Sequence, residues 1–231
     1  HTTPNQITRN SMNRHADIAA LILAATYSSR MKYFKPLLPL GEATTLERCV
    51  RLFKDSGIEE VRVVIGHRSD ELKPLLDNLQ VRYVVNTRFA DGMFSSVRTG
   101  VASLDSSCCA FFLLPVDIPL VRQSTILDLL EARATRPADI FYPTFQGKRG
   151  HPPLVATTCR SGLLAWNGDG GLRGFFEQHS SELHGVDVPV ADEHMLLDMD
   201  TNGDYQALLA RLADFDVPSY AECEALLRDI F

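Results

Sequence analysis

The sequence predicts an α/β fold, a mainly parallel (mixed) sheet covered by helices on both faces. Three observations predict it. Apolar runs of strand length recur at Ile18–Ala24, Val61–Ile65, Val81–Val85, Ala110–Leu114 and Ile140–Tyr142. Segments with apolar residues at helical spacing lie between most of them, and strand–helix alternation is the pattern of a parallel sheet with two covered faces. The 231 residues, 45% hydrophobic, suffice for one sizeable core.

The first helix carries its own punctuation. Thr44 and Glu47 have capping-box spacing, Leu46, Cys49, Val50 and Phe53 make one apolar stripe, and Gly57 is placed to end it. Leu72, Leu75, Leu76 and Leu79 mark a second helix, which Pro74 requires to begin late or bend. Met93, Val97, Val101 and Leu104 mark a third, and Ile126, Leu127 and Leu130 a fourth. Beyond Tyr142 the pattern loosens into Pro- and Gly-rich sequence through Gly171. Two helices follow: Tyr205, Leu208, Leu209 and Leu212 stripe one, with Thr201 and Asp204 as a box-like pair, and Cys223, Leu226, Leu227 and Ile230 stripe the other, with Ser219 and Glu222 as its box. The expected division is a polar lead-in or tag remnant over 1–15, one domain over 16–215, and a C-terminal helix over 216–231. Because that helix stops on Phe231, the reading stays open between a docked end and a chain that leads into a further domain.

A net charge of −6 gives no general attraction to nucleic acid or to an anionic membrane, so a basic cluster must act locally on a small anion. Five cysteines without C-x-x-C spacing argue against a disulfide framework or a structural zinc site and fit a reducing cytoplasm. No apolar run reaches membrane-spanning length.

The basic cluster exists. After the first strand, Leu23, Ala24 and Ala25 lead into Thr26, Ser28, Ser29, Arg30, Lys32 and Lys35. A small-residue loop at the carboxyl end of a parallel strand is a usual phosphate-binding place, since backbone N–H groups and cations converge there. Neither a P-loop nor a G-x-G-x-x-G motif is present, and a solvated basic loop is the plain alternative.

These residues resemble a known family. "LAATYSSRMKYFKPLLPLG" is similar to the signature L-A-A-G-x-S-x-R-M-G-x-x-K-x-L-L-P of MobA-like nucleotidyltransferases, the molybdopterin cytidylyl- and guanylyltransferases. "NTRFADGMFSSVRTG", "LLPVDIPLV", "GKRGHPPLV", "GDGGLR" and "LLDMDTNGDY" resemble five further family segments in the same order. The resemblance implies a Rossmann-like three-layer α/β/α nucleotidyltransferase fold. It also implies transfer of a nucleoside monophosphate from an NTP to a phosphorylated acceptor such as molybdopterin, with Mg²⁺ and release of pyrophosphate. The cytidylyl branch is the nearer match, because Ala25 stands where the guanylyl branch favours a glycine, so CTP is the expected NTP.

By the same resemblance, Arg30, Lys35 and Asp117 are the expected catalytic residues, with Asp117 and Asp200 on the metal. Leu23, Ala24, Ala25, Thr26, Ser28, Asn86, Gly92 and Ser96 are expected to bind the nucleotide, and Gly150, His151, Pro152, Asp169 and Arg173 the acceptor. The residues give partial reasons. Pro115 and Pro119 hold Asp117 extended at a strand end, Asp198 and Asp200 would share a face on a strand, and Gly92 and Ser96 open a helix whose first N–H groups are free. Arg98 reads equally as a surface arginine. Two positions depart from the signature: Thr26 and Lys32 replace glycines, and a glycine there lets the backbone approach phosphate closely. The departures imply an alternative, a nucleotide- or partner-binding module without turnover that serves a molybdoenzyme. Another phosphorylated small molecule as acceptor is the alternative within the class.

Overall fold

The computed structural model describes residues 15–25, 31 and 33–215. Thr26, Ser28, Arg30, Lys32 and the helix read from Ser219 onward lie outside the described residues. In chain order the elements are β1 (Ile18–Ala24), the short pair β2 (Pro39–Leu40) and β3 (Ala43–Thr44), α1 (Thr45–Asp55), β4 (Glu60–Ile65), α2 (Ser69–Asn78), β5 (Arg82–Val85), α3 (Met93–Ser103), β6 (Ala110–Pro115) and α4 (Gln123–Thr135). There follow β7 (Ile140–Phe145), β8 (Lys148–Arg149), β9 (Leu154–Ala156), α5 (Arg160–Ala165), α6 (Gly171–Gln178), β10 (Gly185–Pro189) and α7 (Asn202–Phe215).

One eight-stranded sheet runs β10-β7-β9-β6-β1-β4-β5, with β8 paired to β7. The pairs β6–β1, β1–β4, β4–β5 and β10–β7 are parallel, and β9 is antiparallel to both neighbours. Alternate residues of β1 feed two cores. Ile18, Ala20, Ile22 and Ala24 pack with α1, α2 and α4, while Ala19, Leu21, Leu23 and Ala25 pack with α3, α5 and α6. A strand apolar at every position is what two covered faces require.

The local signals hold where they were strongest. Thr44 Oγ1 accepts from Glu47 N–H (3.2 Å), Glu47 Oε2 accepts from Thr44 N–H (2.6 Å), and Gly57 leaves the end of α1 at φ 80°. Cys49 is fully buried, and burial pushes its thiol far above the ordinary range. Three readings need correction. α2 starts at Ser69, well before Pro74, so it does not begin late; the bond that Pro74 cannot donate would go to the carbonyl of Asp70, one turn earlier near the helix start. Leu127 is 46% exposed, because the buried side of α4 is formed by Thr125, Ile126, Leu129, Leu130 and Ala132. The stretch after Tyr142 is not irregular: β7 continues to Phe145, and β8, β9, α5 and α6 follow within it or directly after. Among the described residues, no helix is long and apolar enough to cross a membrane.

Thr44→Ala removes the capping oxygen of α1 and should lower the unfolding free energy by about 1 kcal/mol. Urea denaturation checks this through the midpoint at unchanged slope; an unchanged midpoint would remove the cap from the account of α1.

Candidate active site

Register puts the site at one edge of the sheet. Ala24 lies opposite Ile65, Ile65 opposite Val85 and Leu23 opposite Pro115, so four parallel strands end flush and the segments that follow them open on the same side. The strand-end carbonyls are already used. Leu23 O accepts from Val116 N–H and Ala25 O from His67 N–H, both at 3.1 Å, which ties the turns after β6 and β4 to the end of β1. Leu23, Ala24 and Ala25 are all buried.

Lys35 opens a 3₁₀ turn over Lys35–Leu37 and is only 8% exposed. Its Nζ lies 3.0 Å from Asp200 Oδ1 and 3.5 Å from Asp117 Oδ2. Three residues separated by 82 and 165 positions thus share one small volume. Asp117 sits just beyond β6 in a tight turn closed by Ile118 N–H to Pro115 O (3.2 Å). Its own carbonyl accepts from Met199 N–H (2.9 Å), which docks the Asp200 segment on the Asp117 turn. Asp204 then fixes that segment at the start of α7: its Oδ2 accepts from Asp200 N–H (3.1 Å), Thr201 N–H (2.7 Å) and Thr201 Oγ1–H (2.8 Å).

Residues 197–200 form no strand, contrary to the reading from alternation, because Met199 pairs with the Asp117 turn rather than with a sheet neighbour. The alternation itself survives: Asp198 is exposed, Met199 fully buried and Asp200 half-buried. Behind the charged group, Met31, Leu38, Leu40, Leu120, Met199 and Leu208 form a separate apolar cluster drawn from all three segments.

Among the described residues, one ammonium faces two carboxylates in a half-buried place. Burial raises the Asp117 carboxyl above the usual carboxylate range; the neighbouring Asp200 charge adds to this, and Lys35 opposes it. A further cation between the two carboxylates would relieve that strain. The donor set is oxygen only and comes from two chain segments, and Mg²⁺ commonly takes one or two carboxylates and completes its shell with water and substrate phosphates. The residues therefore fit that ion. Among the described residues no group of three or more His, Cys, Asp or Glu could form a closed metal cage.

Gly150 and His151 lie against the segment that leads to Asp200. A Cβ on Gly150 would come within 2.8 Å of Met195 O, and His151 N–H donates to that same carbonyl (3.2 Å). The His151 ring is mostly enclosed, with Nδ1 buried and unpartnered among the described residues. Burial holds its pKa below the ordinary imidazole value, against opposing contributions from a Leu113 backbone hydrogen bond and the Asp198 charge. Pro152 is buried beside it.

The other expected residues lie around the start of α3, on α6 and in the turn before it. Asn86 is buried and its side chain is spent inside the protein: Nδ2 donates to Ser95 Oγ (2.8 Å) and Ser96 Oγ (3.0 Å), and Oδ1 accepts from Arg88 N–H (2.9 Å). Ser96 is fully buried, so these two side chains brace the start of α3 from within. Gly92, at φ 94°, leaves open space where a Cβ would be. Arg98 reaches back to the carbonyl of Trp166. Gly168 joins Asn86, Ser95 and Arg98 around a cavity of about 420 Å³, whereas Arg173 is paired with Glu177 (2.6 Å) on the surface of α6. Asp169 accepts from the Trp166 indole through its carbonyl (3.1 Å), leaving its carboxylate at the turn surface.

Sequence reasoning missed Asp192. It is 1% exposed and accepts from Arg122 N–H (2.8 Å), Thr125 Oγ1–H (2.8 Å) and His194 N–H (3.0 Å), pinning the chain that leads to Asp200 onto the start of α4. A single loop Asp outside any motif carries no signal of this.

Residues 20–183 match the MobA-like NTP transferase domain. The chain belongs to that family. A curated relative, the molybdenum cofactor cytidylyltransferase of Escherichia coli (strain K12), is 29% identical over 143 residues, 62% of this chain and 71% of the relative. Among solved structures, a nucleotidyl transferase from Methanothermobacter thermautotroptrophicus superposes with a TM-score of 0.75 at 22% identity, covering 85% of this chain and 98% of that one. Rv0371C from Mycobacterium tuberculosis H37Rv, solved as a complex with manganese, does so with a TM-score of 0.68 at 22% identity, covering 84% and 98%. At such identities the two structures speak to the fold alone, a Rossmann-like three-layer α/β/α arrangement in which this MobA-like chain places Lys35, Asp117 and Asp200 together.

Met199 is the apolar pin of the Asp200 segment. Met199→Ala should cost about 2–5 kcal/mol of stability, and Asp198→Ala, at the exposed position beside it, within about 0.5 kcal/mol. Equal losses in urea denaturation would refute the assignment of the anchoring role to Met199.

Proposed function

We propose that the protein transfers a nucleoside monophosphate, CMP first among them, from an NTP to a phosphorylated acceptor of the molybdopterin class, releasing pyrophosphate. The observation that carries this reading is the approach of the Lys35 ammonium to both Asp200 and Asp117, at 3.0 and 3.5 Å. Membership of the MobA-like NTP transferase family supports the reaction class, and the name of the E. coli relative supports CTP and the molybdenum cofactor.

The chemistry asks little of a general base. A phosphate acceptor is already ionised near neutral pH; its oxygen forms the new bond to the α-phosphorus while the bond to the β-phosphate oxygen breaks, and catalysis is positioning with charge neutralisation. Lys35 stabilises charge on the phosphates, with Arg30 as its partner in that role. Asp117 and Asp200 would hold Mg²⁺, which supplies Lewis-acid charge at the transferred phosphate when bound.

Leu23, Ala24, Ala25, Thr26 and Ser28 border the nucleotide, and Gly92 offers main chain that Asn86 and Ser96 brace. Gly150, His151 and Pro152 form the acceptor side, and Asp169 and Arg173 are assigned to the acceptor by motif likeness. His151 contributes hydrogen bonds from an enclosed ring, whose pKa burial holds below the ordinary imidazole value.

Mg²⁺-dependent exchange of labelled pyrophosphate into each NTP, run with molybdopterin present because a direct displacement exchanges only through the acceptor, tests the reading. CTP should acquire label fastest, and Asp117→Asn and Asp200→Asn should each lose about 10²-fold or more. Exchange that appears only in Thr26→Gly or Lys32→Gly would support the binding module without turnover, and exchange indifferent to both aspartates would reject the proposed site.

A further inference from the structure

Gly66, His67 and Arg68 form the turn between β4 and α2, and neither the family signature nor the chemistry above uses them. The geometry points to this turn, together with Glu71, as the device that positions Lys35, making Arg68 and Glu71 positioning residues of the proposed transfer. The inference rests on that reading for the reaction; its geometry stands by itself.

The turn is pressed against the end of β1. A Cβ on Gly66 would come within 2.9 Å of the Cβ atoms of both Ala25 and Phe89, and the next residue, His67, donates its N–H to Ala25 O. Arg68 follows in the left-handed region at φ 53°, which few non-glycine residues adopt, and makes no side-chain cap for α2. Its guanidinium is instead gripped as a fork by Glu71, Nε to Oε1 and Nη2 to Oε2, both at 2.5 Å. So held, the guanidinium carbon stands 4.4 Å from the centroid of the Phe34 ring, a cation–π contact on its face. The His67 ring meets Phe34 edge-on at 6.3 Å and lies 5.8 Å from Phe89.

Phe34 is thus held on its face and at its edge, and the next residue is Lys35. Two consecutive residues of one turn, His67 and Arg68, hold Ala25 on one side of the cationic segment and Phe34 on the other. With Phe34 fixed, the main chain at Lys35 is fixed, and its side chain starts from a set point toward Asp117 and Asp200. Arg68 and Glu71 are 43% and 47% exposed, so the clamp is modest in strength and acts on geometry.

The test is made on the full chain with Arg68→Ala, Glu71→Gln, Phe34→Leu and Phe34→Tyr. One readout is the ¹³C resonance of the Lys35 ε-carbon in lysine-labelled protein, assigned by its loss in Lys35→Arg. The first three variants should move that resonance toward those of exposed lysines, and Phe34→Tyr, which keeps the ring, should leave it in place. The second readout is pyrophosphate exchange: kcat should fall about three- to tenfold in the first three variants, the size of a lost cation–π contact, while KM for the NTP stays within about twofold. A Lys35 resonance unmoved in both Arg68→Ala and Phe34→Leu overturns the inference. A wild-type protein that exchanges with no NTP in the presence of molybdopterin defeats the reaction proposed above, and the resonance still decides the geometry.

Discussion

Six apolar side chains set the condition on which the site depends. Met31, Leu38, Leu40, Leu120, Met199 and Leu208 come from the segments that carry Lys35, Asp117 and Asp200, and they form a cluster separate from the two cores on either face of the sheet. The charges could not gather by themselves, because drawing an ammonium and two carboxylates partly out of water costs more than their attraction reliably returns. Burying each leucine or methionine contributes about 1.5–3 kcal/mol, and that contribution holds the charged residues together. Hydrogen bonds then set the detail: Met199 on the Asp117 carbonyl, Asp204 around Asp200 and Thr201, and Asp192 at the start of α4.

This arrangement gives the site its chemical character. The sheet delivers four strand ends to one edge, and the described segments beyond them bring Lys35, Asp117 and Asp200 together. Two carboxylates from separate segments beside Lys35 make an oxygen-only donor pair, the kind that a hard divalent cation takes. His151 lies next to the Met195–Asp200 segment, and burial holds its imidazole pKa below the ordinary value.

Much of this was legible in the sequence, for identifiable reasons. The strand runs were readable because covered sheet faces leave few polar positions to interrupt them, Arg62 and Arg82 being the two charged residues within the five runs. The box at Thr44 and Glu47 and the pair at Thr201 and Asp204 were readable because capping is local, within one turn of chain. The short strands β8 and β9 were not readable, since two or three residues beside prolines and glycines carry no period, and five-residue β10 runs from Gly185 to Pro189 with only Val186 and Val188 apolar between. Leu127 misled because an apolar residue one step from a stripe is indistinguishable by composition from one within it. At the site, the expectation for Lys35, Asp117 and Asp200 came from motif likeness, and the structure adds their convergence. The internal hydrogen bonds of Asn86 to Ser95 and Ser96 were hidden, because sequence does not show which partners a polar side chain will take.

The central claim is that Asp117 and Asp200 serve a single cation position. Mn²⁺ binding, followed by electron paramagnetic resonance in the wild type, Asp117→Asn, Asp200→Asn and the double variant, tests it most directly. Each single substitution should remove most of the affinity, and the double should lose little more, as residues acting as one unit do. Losses that add independently, or binding that survives either substitution intact, would contradict the account.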